Sequence, residues 1–255
     1  MTSSTLSSGL RVMTVNVHKG FSFLNRRFVL RELRDAVREV AADLVFLQEI
    51  HGTRQGTDAS APHGDFDGPH YEFLADEIWP AFAYGQNAVT SRGDHGNALL
   101  SKYPIVRHEN IDVSAATHEK RGLLHCALRV PGSADIVHAI CVHLGLKQSH
   151  RNRQLQQLCD LVEHRIPKTE PVLVAGDFND WRAKAHALLM HCAGLGEVFV
   201  EAHGQAARTY PARLPLLRLD RIYVRGVREH APLALPVRPW NQLSDHAPIA
   251  AEIQL

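Results

Sequence analysis

Apolar residues run in short bursts along the chain, and most bursts end on a polar side chain. β-Branched and other apolar residues concentrate at Val12–Val17, Leu44–Ile50, Ala98–Ser101, Leu123–Val130, Ile136–Leu144, Val172–Asp177, Arg221–Val224 and Pro248–Ile253. Their lengths and flanking turn residues predict strands. Helical spacing instead marks Arg26–Ala42, Tyr71–Trp79, Arg151–Arg165 and Arg182–Cys192, so the domain is α/β. In the first helix Leu30, Leu33, Val37 and Val40 form an apolar stripe, and Arg27, Arg31, Arg34 and Arg38 form a second. Glu32, Asp35 and Glu39 interleave with the arginines, which reads as a solvated, partly neutralised face. Residues 51–70 are rich in Gly, Pro and Asp without a period, predicting a long surface loop. The Asp65-Phe66-Asp67-Gly68 fragment within it lacks the later glutamate of a calcium loop. The Ser/Thr-rich start, Met1–Gly9, reads as a disordered tail, leaving 10–255 as a single domain.

Composition narrows the class. No apolar run approaches the roughly 18 to 20 residues of a membrane span, and the start has neither a basic nor an apolar signal region. The expectation is a soluble, cytoplasmic protein. A formal charge of +1, from 28 basic and 27 acidic residues, is weak footing for gripping long nucleic acid through counterion release. Basic and aromatic candidates for such a grip are few: Arg208-Thr209-Tyr210, Arg213 and Arg218. The four cysteines, Cys126, Cys141, Cys159 and Cys192, lack C-x-x-C spacing and sit in apolar segments, which reads as buried reduced thiols. Among the 17 histidines there is no H-E-x-x-H zinc pattern, and the chain has no Gly-x-Ser-x-Gly elbow and no P-loop.

The polar residues at the strand ends carry the chemistry. Asn16 follows Val12–Val15, Glu49 closes Leu44–Gln48, and His143 follows Ala139–Val142. Asp177 and Asn179 follow Val172–Gly176, Asp220 follows Leu216–Leu219, and Asp245 with His246 precede Ala247–Ile249. A carboxylate, amide or imidazole there is costly unless it finds a partner, and in α/β proteins such placements mark sites at strand ends. Singly, each has a plain alternative: Asn16 as a turn cap, Glu49 as a salt-bridged carboxylate, His143 as a satisfied core histidine, Asp180 as a helix cap. Together they point to a site that only the fold could gather.

At these residues the chain resembles the endonuclease/exonuclease/phosphatase superfamily, which includes DNase I-like nucleases, neutral sphingomyelinases and inositol polyphosphate 5-phosphatases. The resemblance runs nearly end to end, through Thr14-Val15-Asn16, Leu47-Gln48-Glu49, Gly96-Asn97-Ala98-Leu99-Leu100-Ser101, Val142-His143-Leu144, Gly176-Asp177-Phe178-Asn179, Leu219-Asp220-Arg221-Ile222 and Ser244-Asp245-His246-Ala247-Pro248. It implies a four-layer αββα sandwich of two mainly antiparallel sheets. It also implies a Mg²⁺-dependent phosphoesterase, with Mn²⁺ as a possible substitute, acting on mono- or diesters of nucleic acid, small molecules or lipid headgroups.

By the same resemblance Glu49 is the principal metal ligand, helped by Asn16 and Asp245. Asp177 orients or deprotonates the attacking water, Asn179 and His143 bind the phosphate, and Asp220 fixes His246 beside the scissile group. The general base is left open between Asp177 and His246. Arg121, in Glu119-Lys120-Arg121-Gly122, is a phosphate-binding candidate whose alternative is an ion pair with Glu119. The competing class is a non-catalytic protein that keeps the fold and binds a phosphorylated ligand or partner.

Overall fold

The computed structural model describes residues 9–22, 27–52, 68–90, 93–117, 119–133 and 135–255. The predicted tail, the long loop and the calcium-loop fragment lie outside these residues except at their edges. The first half of the chain gives β1 (Leu10–Asn16), α1 (Leu30–Val40), β2 (Leu44–His51), α2 (His70–Ala75), β3 (Ala81–Thr90), β4 (Gly93–Ser101) and β5 (Ile105–Asp112). There follow β6 (Gly122–Leu128), β7 (Val137–His143), α3 (Gln148–Arg165), β8 (Val172–Asp177), α4 (Ala185–Ala193) and β9 (Gly196–Glu197). The chain closes with α5 (Val198–His203), β10 (Asp220–Arg225), β11 (Glu229–Leu233), α6 (Trp240–Leu243) and β12 (Ile249–Gln254). No described helix is long and apolar enough to cross a membrane.

Two six-stranded sheets form, ordered β11-β12-β1-β2-β4-β3 and β5-β6-β7-β8-β10-β9. Among the described residues only β1/β2 and β7/β8 pair in parallel, each pair joined through a helix, and the remaining ladders are antiparallel. The strands read as near-continuous apolar runs because both of their faces are buried. Alternate residues of each central strand fill the space between the sheets, among them Val12, Phe46, Leu99, Cys126, Ala139, Leu173 and Ile222. Their neighbours point outward: Met13, Val15 and Val45 lie against Leu33, Val37 and Trp79 on one side. On the other side Ile140, Val142 and Val174 lie against Leu155, Leu158 and Leu189. The result is the expected layering of helices, sheet, sheet, helices.

All eight sequence-derived strands are present, and β3, β5, β9 and β11 are additions. The last four sit at or near sheet edges, and their exposed, charged or proline-bearing sequences, such as Ile105–Asp112 and Glu229–Leu233, lack the apolar runs of buried strands. The arginine face of α1 is partly neutralised: Arg27 pairs with Glu32 at 3.2 Å, Arg34 with Asp35 at 3.3 Å, and Arg38 with Asp76 of the following segment, the place expected of Glu39.

The cysteines require a correction. Cys126 and Cys141 are free and buried, and burial pushes the Cys141 thiol up to about 12. Cys159 on α3 and Cys192 on α4 form a disulfide across 33 residues. Their spacing in sequence carries no sign of this, because the pairing follows from two outer helices packing side by side with a Cα–Cα distance of 5.8 Å. Thiol titration in guanidinium is expected to find two reactive thiols before reduction and four after. Four before reduction would show the bridge absent.

Between β6 and β7, on the outer face, His125 and His138 form a buried chain. His125 Nε2 lies 2.8 Å from His138 Nδ1, and His138 Nε2 lies 2.6 Å from Glu170. Burial, reinforced by His138 and opposed by Glu109, lowers His125 to about 4. The unfolded chain therefore binds a proton that the folded chain refuses, so stability falls as pH drops from about 6.5 toward 4, by up to about 3 kcal/mol. Thermal melts across that window should show a slope that His125→Asn flattens, and an unchanged slope would exclude His125 as its source.

Candidate active site

Four of the functional candidates occupy the inward parity of their strands, where the apolar rows between the sheets run out. Val12 and Thr14 lead to Asn16, Ala139 and Cys141 to His143, Leu173 and Ala175 to Asp177, and Val224 and Ile222 to Asp220. The carboxyl ends of both parallel pairs meet there, the position at which α/β sheets build sites. Register fixes the neighbours: His143 is opposite Asp177, and Asp177 is opposite Asp220. Gly176 holds φ +147°, and a Cβ there would lie 2.0 Å from the Val142 carbonyl oxygen. Glycine therefore lets β8 lie against β7 immediately before Asp177.

Four residues at the site adopt left-handed backbone conformations: His18 (φ 44°), Lys19 (φ 58°), Glu49 (φ 54°) and Asn179 (φ 49°). For non-glycine residues this conformation costs energy and collects at functional positions. At Glu49 it accompanies a bulge between Leu47 and Ile50 in the β2/β4 ladder, which lifts Glu49 out of the strand's regular alternation.

His246 Nδ1 lies 2.9 Å from Asp220 Oδ2, and His246 Nε2 lies 3.9 Å from Asp177 Oδ2. Burial alone would keep His246 neutral, but Asp220, Asp177 and Asp245 outweigh it and raise the imidazole to about 10, so the ring is charged at neutral pH. Burial raises Asp177 to about 6, against the pull of His246 and of hydrogen bonds from Asn179 and Asn16. Those bonds run from Asn179 N at 2.9 Å and Asn16 Nδ2 at 3.3 Å. His143 Nε2 is 3.5 Å from Asp177 Oδ2. Burial, with Arg121 and His246 nearby, holds His143 well below the usual imidazole range, and it is neutral.

The sequence profile described as "Endonuclease/Exonuclease/phosphatase family" matches residues 13–246. The chain belongs to that family. It is 53% identical over 255 residues to the "Uncharacterized protein YbhP" of Escherichia coli (strain K12), covering all of both chains. Its fold is similar to the endonuclease/exonuclease/phosphatase structure from Beutenbergia cavernae, with TM-score 0.75, 19% identity, and coverage of 97% of this chain and 72% of that one. It is also similar to D. rerio TDP2 complexed with single strand DNA product, with TM-score 0.71, 20% identity, and coverage of 97% and 100%.

Within this family fold, the structure gathers most of the expected residues. Asn16 Nδ2 faces Glu49 Oε1 at 3.5 Å as well as Asp177. Asp245 Oδ2 lies 3.3 Å from His18 Nδ1, and Ser244 beside it donates to the Asn16 carbonyl at 2.6 Å. Asn179 Nδ2 donates to the Leu144 carbonyl at 3.0 Å. The Arg121 guanidinium donates to the carbonyls of Leu144 at 3.3 Å and Lys120 at 3.0 Å, and pairs with Glu119 at 3.5 Å. The ion pair offered as its alternative thus exists, and it holds Arg121 near enough to His143 to disfavour a second charge there.

Hard oxygen donors suit a divalent cation in two arrangements. Glu49, Asn16 and Asp245 are the first, although Asn16 Oδ1 now accepts the His18 N–H at 3.0 Å and the amide must turn to offer its oxygen to an ion. Asp177, Asp220 and His246 are the second, with one ligand atom from each lying within 4.8 Å of the others, but an ion there would need a neutral His246 and so competes with the protonated Asp220–His246 pair. Asp220 Oδ1 is buried there without a hydrogen-bond partner. The donor set fits a hard cation.

Residues with supporting roles were missed as site members. Asn97, buried on β4, donates across the sandwich to the carbonyls of Gly122 at 3.0 Å and Cys141 at 3.3 Å, joining the two sheets beneath the site. Its signal was an amide inside an apolar strand, the same signal that marked Asn16. Thr209 Oγ1 accepts the backbone N–H of Asp220 at 3.3 Å, and the Tyr210 ring lies 5.0 Å from the His246 ring. His95 stands among Lys19, Glu49, His51 and Arg121. Spacing could not have announced Thr209, Tyr210 or His95 as site members, because their places are set by loops and bulges.

Proposed function

We propose that the protein hydrolyses phosphate esters, diesters or monoesters, by attack of water assisted by a divalent cation. One observation carries the reading: His143 and His246, the latter held by Asp220 at 2.9 Å, flank Asp177 at 3.5 Å and 3.9 Å in one buried cluster. Asp177, largely ionised at neutral pH but more basic than an ordinary carboxylate, orients the water and takes its proton. His246, protonated and held by Asp220, is spent as a base, and so serves to stabilise developing charge and to protonate the departing oxygen. His143 donates a neutral hydrogen bond to a phosphate oxygen, and Asn179 is aligned beside it. Mg²⁺, or Mn²⁺ in its place, held by Glu49 with Asn16 and Asp245, would neutralise the phosphate oxygens and favour the leaving alkoxide. A protein that only bound phosphate would need neither the raised Asp177 nor the Asp220–His246 pair.

The test compares bis-p-nitrophenyl phosphate with p-nitrophenyl phosphate in Mg²⁺, Mn²⁺ or EDTA, for wild type and Asp177→Ala. Turnover that needs metal and disappears in Asp177→Ala is expected, and the preferred ester decides between diesterase and monoesterase. No turnover of either ester by wild type would refute the reading.

A further inference from the structure

The segment between α5 and β10 presents aliphatic side chains to solvent beside the catalytic pair. Leu214, Leu216 and Leu217 are 67%, 59% and 42% exposed, on a loop that runs Arg213-Leu214-Pro215-Leu216-Leu217-Arg218. The loop is firmly built. Leu216 N and Leu217 N both donate to the Tyr210 carbonyl at 2.8 Å, Ala212 N donates to the Asp245 carbonyl at 2.7 Å, and Ala247 N to the Thr209 carbonyl at 2.8 Å. Its base is thus bonded to the chain on both sides of His246, and through Thr209 to Asp220. Leucines held outward by such a scaffold are not there for the core, and three together beside the Asp220–His246 pair mark an interaction surface.

Charge supplies the partner. Arg208 is exposed, and Arg218 lies close enough to Arg208 and Arg221 that burial and their repulsion lower its proton affinity. Among the described residues neither Arg208 nor Arg218 forms an ion pair, and Arg218 instead donates to the Gln205 amide oxygen at 2.6 Å. Arg213 is exposed next to Leu214. Aliphatic tips flanked by Arg208 and Arg218, neither of them in an ion pair among the described residues, match the acyl boundary and the headgroups of an anionic bilayer. A nucleic-acid strand would call for aromatic platforms, which these leucines do not provide. Across the site, Leu146 and Trp181 are also exposed, at 58% and 45%, two residues beyond Leu144 and Asn179.

Building on the phosphoesterase reading, we propose that the 211–217 loop docks the protein on an anionic lipid surface and brings headgroup phosphoesters to the Asp220–His246 pair. The test is flotation of the full chain with phosphatidylcholine vesicles, with and without one-quarter phosphatidylglycerol, for wild type and Leu214→Asp/Leu216→Asp. Turnover of the soluble diester is measured in parallel. Wild type is expected to float with the anionic vesicles and the double variant about ten-fold less, with equal turnover of the soluble ester by both. Equal flotation of the two proteins, or none by wild type, overturns the docking. So does loss, in the variant, of binding to a labelled single-stranded oligonucleotide or of self-association, without any vesicle binding by wild type. Vesicle binding that depends on the leucines, with no turnover of the soluble ester, would keep the docking and sink the phosphoesterase reading.

Discussion

Replacing Asp220 with Asn is expected to lower kcat on the soluble diester by about three orders of magnitude at pH 8 while leaving the fold intact. The substitution keeps the shape of the side chain 2.9 Å from His246 Nδ1 but removes the charge that does most to offset burial of the imidazole. With that charge gone, burial is less opposed and His246 is expected to fall well below about 10. On the phosphoesterase reading, the variant is then expected to lose much of the protonated ring at pH 8 that wild type keeps. Lowering the pH restores the protonated ring, and the variant's remaining activity should rise toward acid until Asp177, near 6, begins to lose its ability to accept a proton. A pH profile of kcat for both proteins decides it. Asp220→Asn within a few-fold of wild type at pH 8 would mean that the pair does not take part.

Arg151→Met is expected to cost about 3 kcal/mol of stability, read by urea unfolding. Arg151 is a fully buried arginine in the first turn of α3. Its guanidinium donates to the carbonyls of Gly145, at 3.1 Å, and Leu146, and to Gln148 Oε1 at 3.1 Å, and it lies 4.5 Å from the Trp181 ring centre. Methionine fills the volume but leaves these carbonyls buried without donors. The same loop carries the Leu144 carbonyl that receives both Asn179 and Arg121. Activity should therefore fall as well, by about ten-fold, through misplacement of those side chains. Arg151→Lys keeps the charge without the fork and should recover little. A loss below 1 kcal/mol would show that the loop holds its shape without this anchor.

The central strands were legible because burial on both faces leaves an unmistakable apolar run, and much of the candidate site was legible because several runs end on a polar group at inward parity. Asp177 after Leu173 and Ala175 is the clearest instance. The edge strands were not, since solvent accepts any residue on an exposed face, and Ile105–Asp112 reads as a polar linker. The disulfide was invisible because two helices, not a spacing, bring Cys159 to Cys192. Start positions slipped for a related reason: α3 begins at Gln148, three residues before its predicted start, where no side chain caps the helix and Arg151 turns back to the preceding loop. Asn97 escaped because its value lies in a partner sheet that the local sequence does not mention.

The two sheet orders hold a repeat. Reading outward from each parallel pair, β1-β2-β4-β3 matches β7-β8-β10-β9, and on the other side β12-β11 matches β6-β5. The equivalent positions carry the chemistry: Asn16 at the end of β1 corresponds to His143 at the end of β7, and Glu49 near the end of β2 to Asp177 ending β8. Asn97 on β4 corresponds to Asp220 on β10, and His246 ahead of β12 to Arg121 ahead of β6. One topological half thus offers Asn, Glu and Asn where the other offers His, Asp and Asp, each half completed by a cationic side chain from the strand entry. The site thus sits where two topologically equivalent halves meet, with unlike side chains at matching positions, Asn16 against His143 and Glu49 against Asp177.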